Sequence, residues 1–346
     1  MKKILTIALV AVLAATSLFA GVNFSGRFRQ GYTFTFADGQ DPKSAAWKSN
    51  EAKFVIKATD DDGIWTVGLK NVGKVDSDDA WAANASVSLT KALAKAGVDM
   101  GDFGLAISLG NNDKMTALSA YNDPSSSYNF KLKNNGKESI QFAANYGSLV
   151  KFNVAFDPTN DGGSTVASAL VAPVNGVSVG AGYAYNGYFN DSFAPVDAAG
   201  KSLGFTGKNM VGVSALVDVA KLADLDFKLA VSAYDNILLE KDANVNSFAA
   251  NVSAGVDMID GYVEFVMNNQ KDNNKFGLNT CINLNVVENL ALDAYFNIGD
   301  FSDVSKTYNI GADASYGLAG VTFALNADYA ASTKAFSVTP KMIIVF

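Results

Sequence analysis

Charged side chains stand at alternate positions of otherwise apolar runs, and their signs are unevenly ordered along the chain. Arg27, Arg29, Lys53, Lys57, Lys70, Lys131, Lys133 and Lys151 come first, with Glu51 as an exception. Asp218, Asp226, Glu264, Asp293, Asp313 and Asp328 follow, with Lys228 and Lys341 as exceptions. These groups have little covalent chemistry open to them. The chain contains no histidine, which removes Ser-His-Asp and Cys-His catalysis and almost every zinc site. Its carboxylates are scattered in turns or stand alone on apolar runs, and no glycine-rich phosphate loop follows a strand and opens a helix. Neither enzymatic activity nor a cofactor is expected. Charges of this kind can instead set the ion preference of an aqueous passage, as rings of charged side chains do. The clusters Asp60-Asp61-Asp62 and Asp76/Asp78/Asp79 offer the oxygen ligands that Ca²⁺ takes. They lack EF-hand spacing and read as solvated turns, so no metal is expected.

The elements that would position these charges are strands. Period-2 alternation recurs about every 15 residues. Ala52, Phe54, Ile56 and Ala58 alternate with Glu51, Lys53, Lys57 and Thr59. Val150, Phe152, Val154 and Phe156 follow Ile140, Phe142, Ala144 and Tyr146 across a Gly147-Ser148 turn. About 20 such segments can be counted, weakest between Lys114 and Lys133, where Pro124 and a serine run interrupt. The expected number is even, between 16 and 20, because an antiparallel barrel with both termini on one side needs an even count. The charge-free stretch Gly162–Asn190 alternates and contains Pro173, Gly176, Gly180 and Gly182. It reads as two strands and a turn rather than a membrane helix. Only Leu89–Gly97 looks helical, within a connection.

The N-terminus has the pattern of a secretory signal. Lys2 and Lys3 precede an uncharged apolar run from Ile4 to Leu18, and Ala20 is small enough for cleavage. The run is shorter than the roughly 20 residues a spanning helix needs. The expected organisation is a cleaved signal over 1–20 and a single barrel over 21–346. Loss of Lys2 and Lys3 takes the formal charge from −7 to about −9, a poor basis for nucleic-acid binding. The single cysteine, Cys281, leaves no disulfide framework and falls on the polar parity of its strand.

Connections alternate between short ones, such as Asp60–Gly63 and Gly317–Gly320, and longer ones, such as Ala37–Asn50 and Gly187–Lys208. That rhythm suits a meander barrel better than a Greek-key sandwich with long crossovers. The apolar parity is nearly free of charge, as lipid demands, since Lys or Arg at mid-membrane costs roughly 2–4 kcal/mol. Aromatic residues cluster near segment ends, among them Trp65, Trp81, Tyr183, Tyr185, Tyr262 and Tyr329, as at a membrane interface. The last segment, 335–346, keeps Met342, Ile344 and Phe346 on its apolar face. The Gly21 end carries a matching pattern in Val22, Phe24, Phe28, Tyr32, Phe34 and Phe36. Two such ends can pair and leave no edge.

With a signal peptide, a meander of amphipathic strands and the ending Lys341-Met342-Ile343-Ile344-Val345-Phe346, the chain resembles the outer-membrane β-barrel porins. A looser resemblance, without a diagnostic motif, is to spirochaete surface porins and variable surface proteins. The porin resemblance implies an all-β transmembrane barrel in the outer membrane of a double-membrane bacterium. It also implies that the barrel-insertion machinery reads Phe346, Ile344 and Met342. The expected partners are lipid, that machinery, small hydrophilic solutes and a further copy of the chain. Sixteen or more strands leave an aqueous channel, so a diffusion channel is the first functional expectation. A surface antigen or adhesin with a plugged barrel is the second. The two blocks of charge are expected on opposite walls of the lumen, one basic and one acidic.

Overall fold

The structure is a computed structural model. It describes residues 21–73, 80–110, 117–122, 124, 132–134, 139–159, 162–188, 208–239, 246–269 and 274–346. The signal at 1–20, Lys131, the Asp76/Asp78/Asp79 cluster and the Lys133 side chain lie outside the described residues.

The first strands are β1 (Val22–Ala37), β2 (Lys43–Ala46), β3 (Glu51–Thr59), β4 (Trp65–Gly73), β5 (Ala80–Ser88) and β6 (Phe103–Gly110). Next come β7 (Lys133–Asn134), β8 (Ser139–Tyr146), β9 (Val150–Asp157), β10 (Ser164–Val174), β11 (Val177–Tyr188) and β12 (Lys208–Asp218). The last are β13 (Lys228–Leu238), β14 (Asn246–Val256), β15 (Ile259–Asn269), β16 (Lys275–Val287), β17 (Leu290–Ile298), β18 (Tyr308–Leu318), β19 (Val321–Ala330) and β20 (Ala335–Val345). Short helices α1 (Leu89–Lys95) and α2 (Val219–Ala223) sit in two connections at the short-turn end. The expected helix and the two strands of Gly162–Asn190 are thus present.

Successive strands pair antiparallel, and β1 pairs with β20 from Arg27↔Val345 to Ala37↔Ala335, so the sheet closes on itself. Two strands are not separate staves. β2 pairs with β1 over Tyr32–Thr35, continuing the path that β3 takes lower down. β7 is a two-residue pairing of the 111–138 connection with Gly187 and Tyr188. The result is a closed antiparallel meander of 18 staves, which explains why a count of segments runs slightly high. Both described ends meet at the short-turn rim. There Gly26 N donates to Phe346 O at 2.7 Å and Phe346 N donates to Gly26 O at 3.1 Å. Turns at that rim are tight enough to need left-handed backbone, as at Gly176 and Gly320, with φ of 89° and 82°.

Alternation splits the staves into two faces. The outer face carries large apolar side chains left exposed by the protein, among them Trp65, Phe152, Val179, Phe323 and Leu325. On β15 the outer set is Ile259, Val263, Phe265 and Met267. Tyr262 pairs with Ser253 and Cys281 on the inner parity instead. The expected placement of Tyr262 in an outer aromatic belt is therefore corrected: one residue of register moves a side chain to the opposite face. No described helix is long and apolar enough to cross a membrane.

Candidate functional site: the barrel interior

The connection 111–138 does not stay at the rim. Within it, the described residues 117–122 run along the inner wall of β10 to β15. Leu118 N donates to Ser168 Oγ on β10 at 2.9 Å, and Ala120 N donates to Ser214 Oγ on β12 at 2.9 Å. Asn122 N donates to Ser232 Oγ on β13 at 3.1 Å, and Asn122 O accepts from Asn251 Nδ2 on β14 at 2.6 Å. Extended backbone exposes alternate N–H groups on one side, and each finds a side-chain acceptor on the wall. Tyr121 OH donates to Glu264 on β15, whose other carboxylate oxygen accepts from Asn279 Nδ2 at 2.8 Å. From the far limb, Leu132 N donates to Tyr234 OH at 3.1 Å.

Glycines make the close approach possible. A Cβ on Gly180 would lie 2.6 Å from Ser214 Oγ and 3.2 Å from Ala120 N, and one on Gly182 would lie 3.1 Å from Ala117 Cβ. The principal buried apolar cluster is also here, inside the barrel: Ala117, Tyr121 and Leu132 pack on Val166, Ala184, Met210, Tyr234, Ala249 and Val266. The inward segment is therefore held by both hydrogen bonds and apolar burial.

The rest of the inner wall is differently furnished. Arg27 and Arg29 on β1, Lys53 and Lys57 on β3, Lys70 on β4 and Lys151 on β9 all occupy the inner parity. Glu51 receives both arginines. Arg27 Nε donates to it at 2.5 Å, and Arg29 Nη2 donates at 2.9 Å. The inner parity also holds Asp260 on β15, Asp293 on β17, Asp313 on β18 and Asp328 on β19. Water reaches these groups: the side chains of Arg27, Asp260 and Asp313 are 40%, 33% and 35% exposed. Cys281 also points inward, its Sγ donating to Asn283 Oδ1 at 3.1 Å.

Three expected acidic lining residues stand apart. Glu264 is 0% exposed beneath the inward segment. Asp218 ends β12 at the short-turn mouth, capping α2 through Lys221 N at 3.1 Å and pairing with Lys221 Nζ at 3.0 Å. Asp226 lies in the connection after α2. The opposed-wall expectation is corrected by closure. Because β20 pairs with β1, acidic β17–β19 flank β20 on one side and basic β1 and β3 flank it on the other. Lys341 Nζ on β20 stands 3.7 Å from Asp313. The wall half a ring away from β3 is β13, which lies under the inward segment.

At the rims, charge is paired. Lys95 of α1 is held above its ordinary pKa, chiefly by its hydrogen bond to Asp62. In the β17–β18 connection the hydrogen bond from Lys306 holds Asp303 below the usual carboxylate range. Among the described residues no group of His, Cys, Asp and Glu is arranged to hold a metal ion.

Sequence reasoning missed Ser168, Ser214, Ser232, Asn251, Tyr121 and Tyr234. One signal was available: between its strand ends the inner parity of β10–β12 is uncharged and rich in Gly and Ser, and it also carries Val166 and Met210. An inner face built that way is meant to touch protein rather than water.

No protein-family model matches this chain, and no curated protein matches its sequence. Solved structures share its architecture. OccK11 (OpdR) of Pseudomonas aeruginosa is 8% identical, with 94% of this chain and 96% of that one covered, at a TM-score of 0.58. The outer membrane protein OpdK of the same organism is 10% identical, covers 94% and 99%, and gives 0.53. At such identity the likeness is one of fold, a closed antiparallel β-barrel like that of the outer membrane protein OpdK.

Proposed function

We propose that this barrel spans an outer membrane and forms a water-filled diffusion channel for small hydrophilic solutes, narrowed on one side by the inward segment 117–122. The observation that carries the reading is the hydrated interior: Arg27 on β1, Asp260 on β15 and Asp313 on β18 keep 40%, 33% and 35% of their side-chain surface exposed. Eighteen staves leave room for an aqueous lumen, and the exposed apolar outer face suits hydrocarbon. The neighbours' fold supports the same reading. Passage would run along the wall of β20, β1, β3 and β4, past Arg27, Arg29, Lys53, Lys57 and Lys70. Lys151, Asp293, Asp313 and Asp328 stand elsewhere on the same inner parity. Asp218 and Asp226 would meet solute at the short-turn mouth, whereas Glu264 acts by holding the segment. Lys131 and Lys133 belong to the narrowing connection. Among the described residues the inner wall carries no acid–base pair or cofactor cradle, and the protein is read as a channel, with solute and membrane lipid as partners. Self-association is a further expectation of the class.

Purified protein in a planar bilayer tests this reading. Discrete conductance steps are expected, and their reproducible absence would favour a plugged surface protein. Assembly is assigned to the closing strand. Met342, Ile344 and Phe346 face outward, and the Phe346 ring lies 5.9 Å from that of Phe54. Deleting Phe346 removes the two backbone bonds to Gly26 and should lower the heat-modifiable, membrane-inserted fraction. Unchanged surface levels would remove its assigned role.

A further inference from the structure

The break between β2 and β3 sends an aromatic ring into the lumen. Trp47 N donates to Gly31 O at 2.9 Å, and Asn50 N donates to Trp47 O at 3.0 Å. The Asn50 side chain locks the bulge by accepting from Gly31 N at 2.7 Å. Gly31 lies on the inner parity, and a Cβ there would meet Pro340 O at 2.7 Å and Lys341 Cγ at 3.2 Å. The Trp47 ring sits over two inner-wall cations: Arg29 Cζ is 5.3 Å from its centroid and Lys341 Nζ is 5.0 Å away. Both distances are within cation–π range. Arg29 Nε is buried with no hydrogen-bond partner among the described residues, so part of the guanidinium has the indole in place of an acceptor. The covering is visible in exposure: the Lys341 and Arg29 side chains are 17% and 25% exposed, against 40% for Arg27 on the same wall.

We infer that Trp47 is a specificity-determining residue of the lumen, screening Arg29 and Lys341 from passing ions so that the channel shows less positive charge than its wall contains. The inference rests on the channel reading above. The ring acts in two ways: it occupies lumen cross-section, and its electron-rich face takes the place of an anion at both cations. Glu51 and Asp313 hold the other sides of the two groups. Without the ring, both cations turn to water and to any anion that enters.

The test is single-channel recording in a potassium chloride gradient with wild type, Trp47→Ala, Trp47→Phe and a Trp47→Ala/Arg29→Met/Lys341→Met triple variant compared with its Arg29→Met/Lys341→Met parent. Trp47→Ala should raise conductance and increase the chloride-to-potassium permeability ratio by roughly twofold. Trp47→Phe, which keeps an aromatic face, should stay nearer wild type. In the background lacking both cations the selectivity shift should vanish while the conductance gain remains. A Trp47→Ala shift of the same size in both backgrounds, or no shift in either, overturns the inference. If wild type gives no conductance at all, the channel reading falls, and the placement of Trp47 is then read by fluorescence. In a Trp65→Phe/Trp81→Phe protein, iodide should quench Trp47 more strongly than caesium. Equal quenching by the two ions overturns the cation-flanked placement. Heat-modifiable gel mobility confirms that each variant is folded.

Discussion

Two stretches of inner wall follow the same period-2 rule and carry opposite furniture. On β10–β14 the inner parity presents Ser168, Gly180, Gly182, Gly212, Ser214, Ser232 and Asn251. On β1, β3 and β4 it presents Arg27, Arg29, Lys53, Lys57 and Lys70. The first stretch receives polypeptide and the second faces water. Backbone docked on a wall needs short acceptors for its N–H groups and empty space where a Cβ would collide. Long charged side chains would fail on both counts, because they are bulky and would be buried without counter-ions. Facing water, a long side chain such as Arg27 remains hydrated and costs little.

The largest expected effect comes from spoiling the docked wall. Gly180→Val places a branched side chain where the Ala120 backbone lies, and overpacking of this kind costs about 1–3 kcal/mol. The segment should leave the wall, with conductance rising and current noise increasing in planar bilayers. Unchanged single-channel behaviour would mean that the docking residues do not set the lumen width.

Glu264→Ala acts on the same wall with a smaller expected effect. It leaves Tyr121 OH and Asn279 Nδ2 without their shared acceptor, and a buried unsatisfied donor costs about 1–3 kcal/mol. The barrel itself should survive, since its staves are untouched. Limited proteolysis near Tyr121 should speed up while heat-modifiable mobility stays normal. Protection equal to wild type would show that the serine contacts suffice alone.

The open wall should respond chiefly in selectivity, with a stability cost confined to Glu51, whose side chain is 12% exposed and paired to two of the wall's arginines. Replacing Arg27, Arg29, Lys53 and Lys57 by Gln should move the reversal potential in a salt gradient toward cations, the shift growing as salt falls below the screening regime of about 0.15 M. Glu51, freed of its two arginines, adds to that direction. An unmoved reversal potential with intact conductance would place these side chains away from the narrowest point. The corresponding change on the docked wall, Ser232→Ala, removes the hydroxyl that accepts from Asn122 N and Asn251 Nδ2, neutral hydrogen bonds worth about 1 kcal/mol each, and should leave selectivity alone.

Much of the architecture was legible along the chain. Alternation of Phe54 and Ile56 with Lys53 and Lys57 assigns two faces locally, because successive Cβ atoms point to opposite sides of any strand. Short and long connections in turn mark a meander. The charge-free run Gly162–Asn190 was also visible, but its cause was not: its outer face is apolar and part of its inner face lies beneath 117–122. Trp47 carried no signal, because a break in the strand rather than its parity aims the ring inward.

The sequence by itself determined which residues share a face, roughly how many staves there are and that enzymatic chemistry has little material. Those properties are local, fixed by residues two apart or by composition. Only the tertiary structure decided which inner faces are wet, because residues 117–122 and Leu132, from a weakly patterned connection, lie on strands far along the chain. Closure of β20 on β1 decided the electrostatics in the same way. It brought Lys341 to Asp313 and put basic β1 close to acidic β19, where order along the chain had suggested opposite walls. Charge adjacency in a barrel is set by the ring, and a linear sequence does not show where the ring closes.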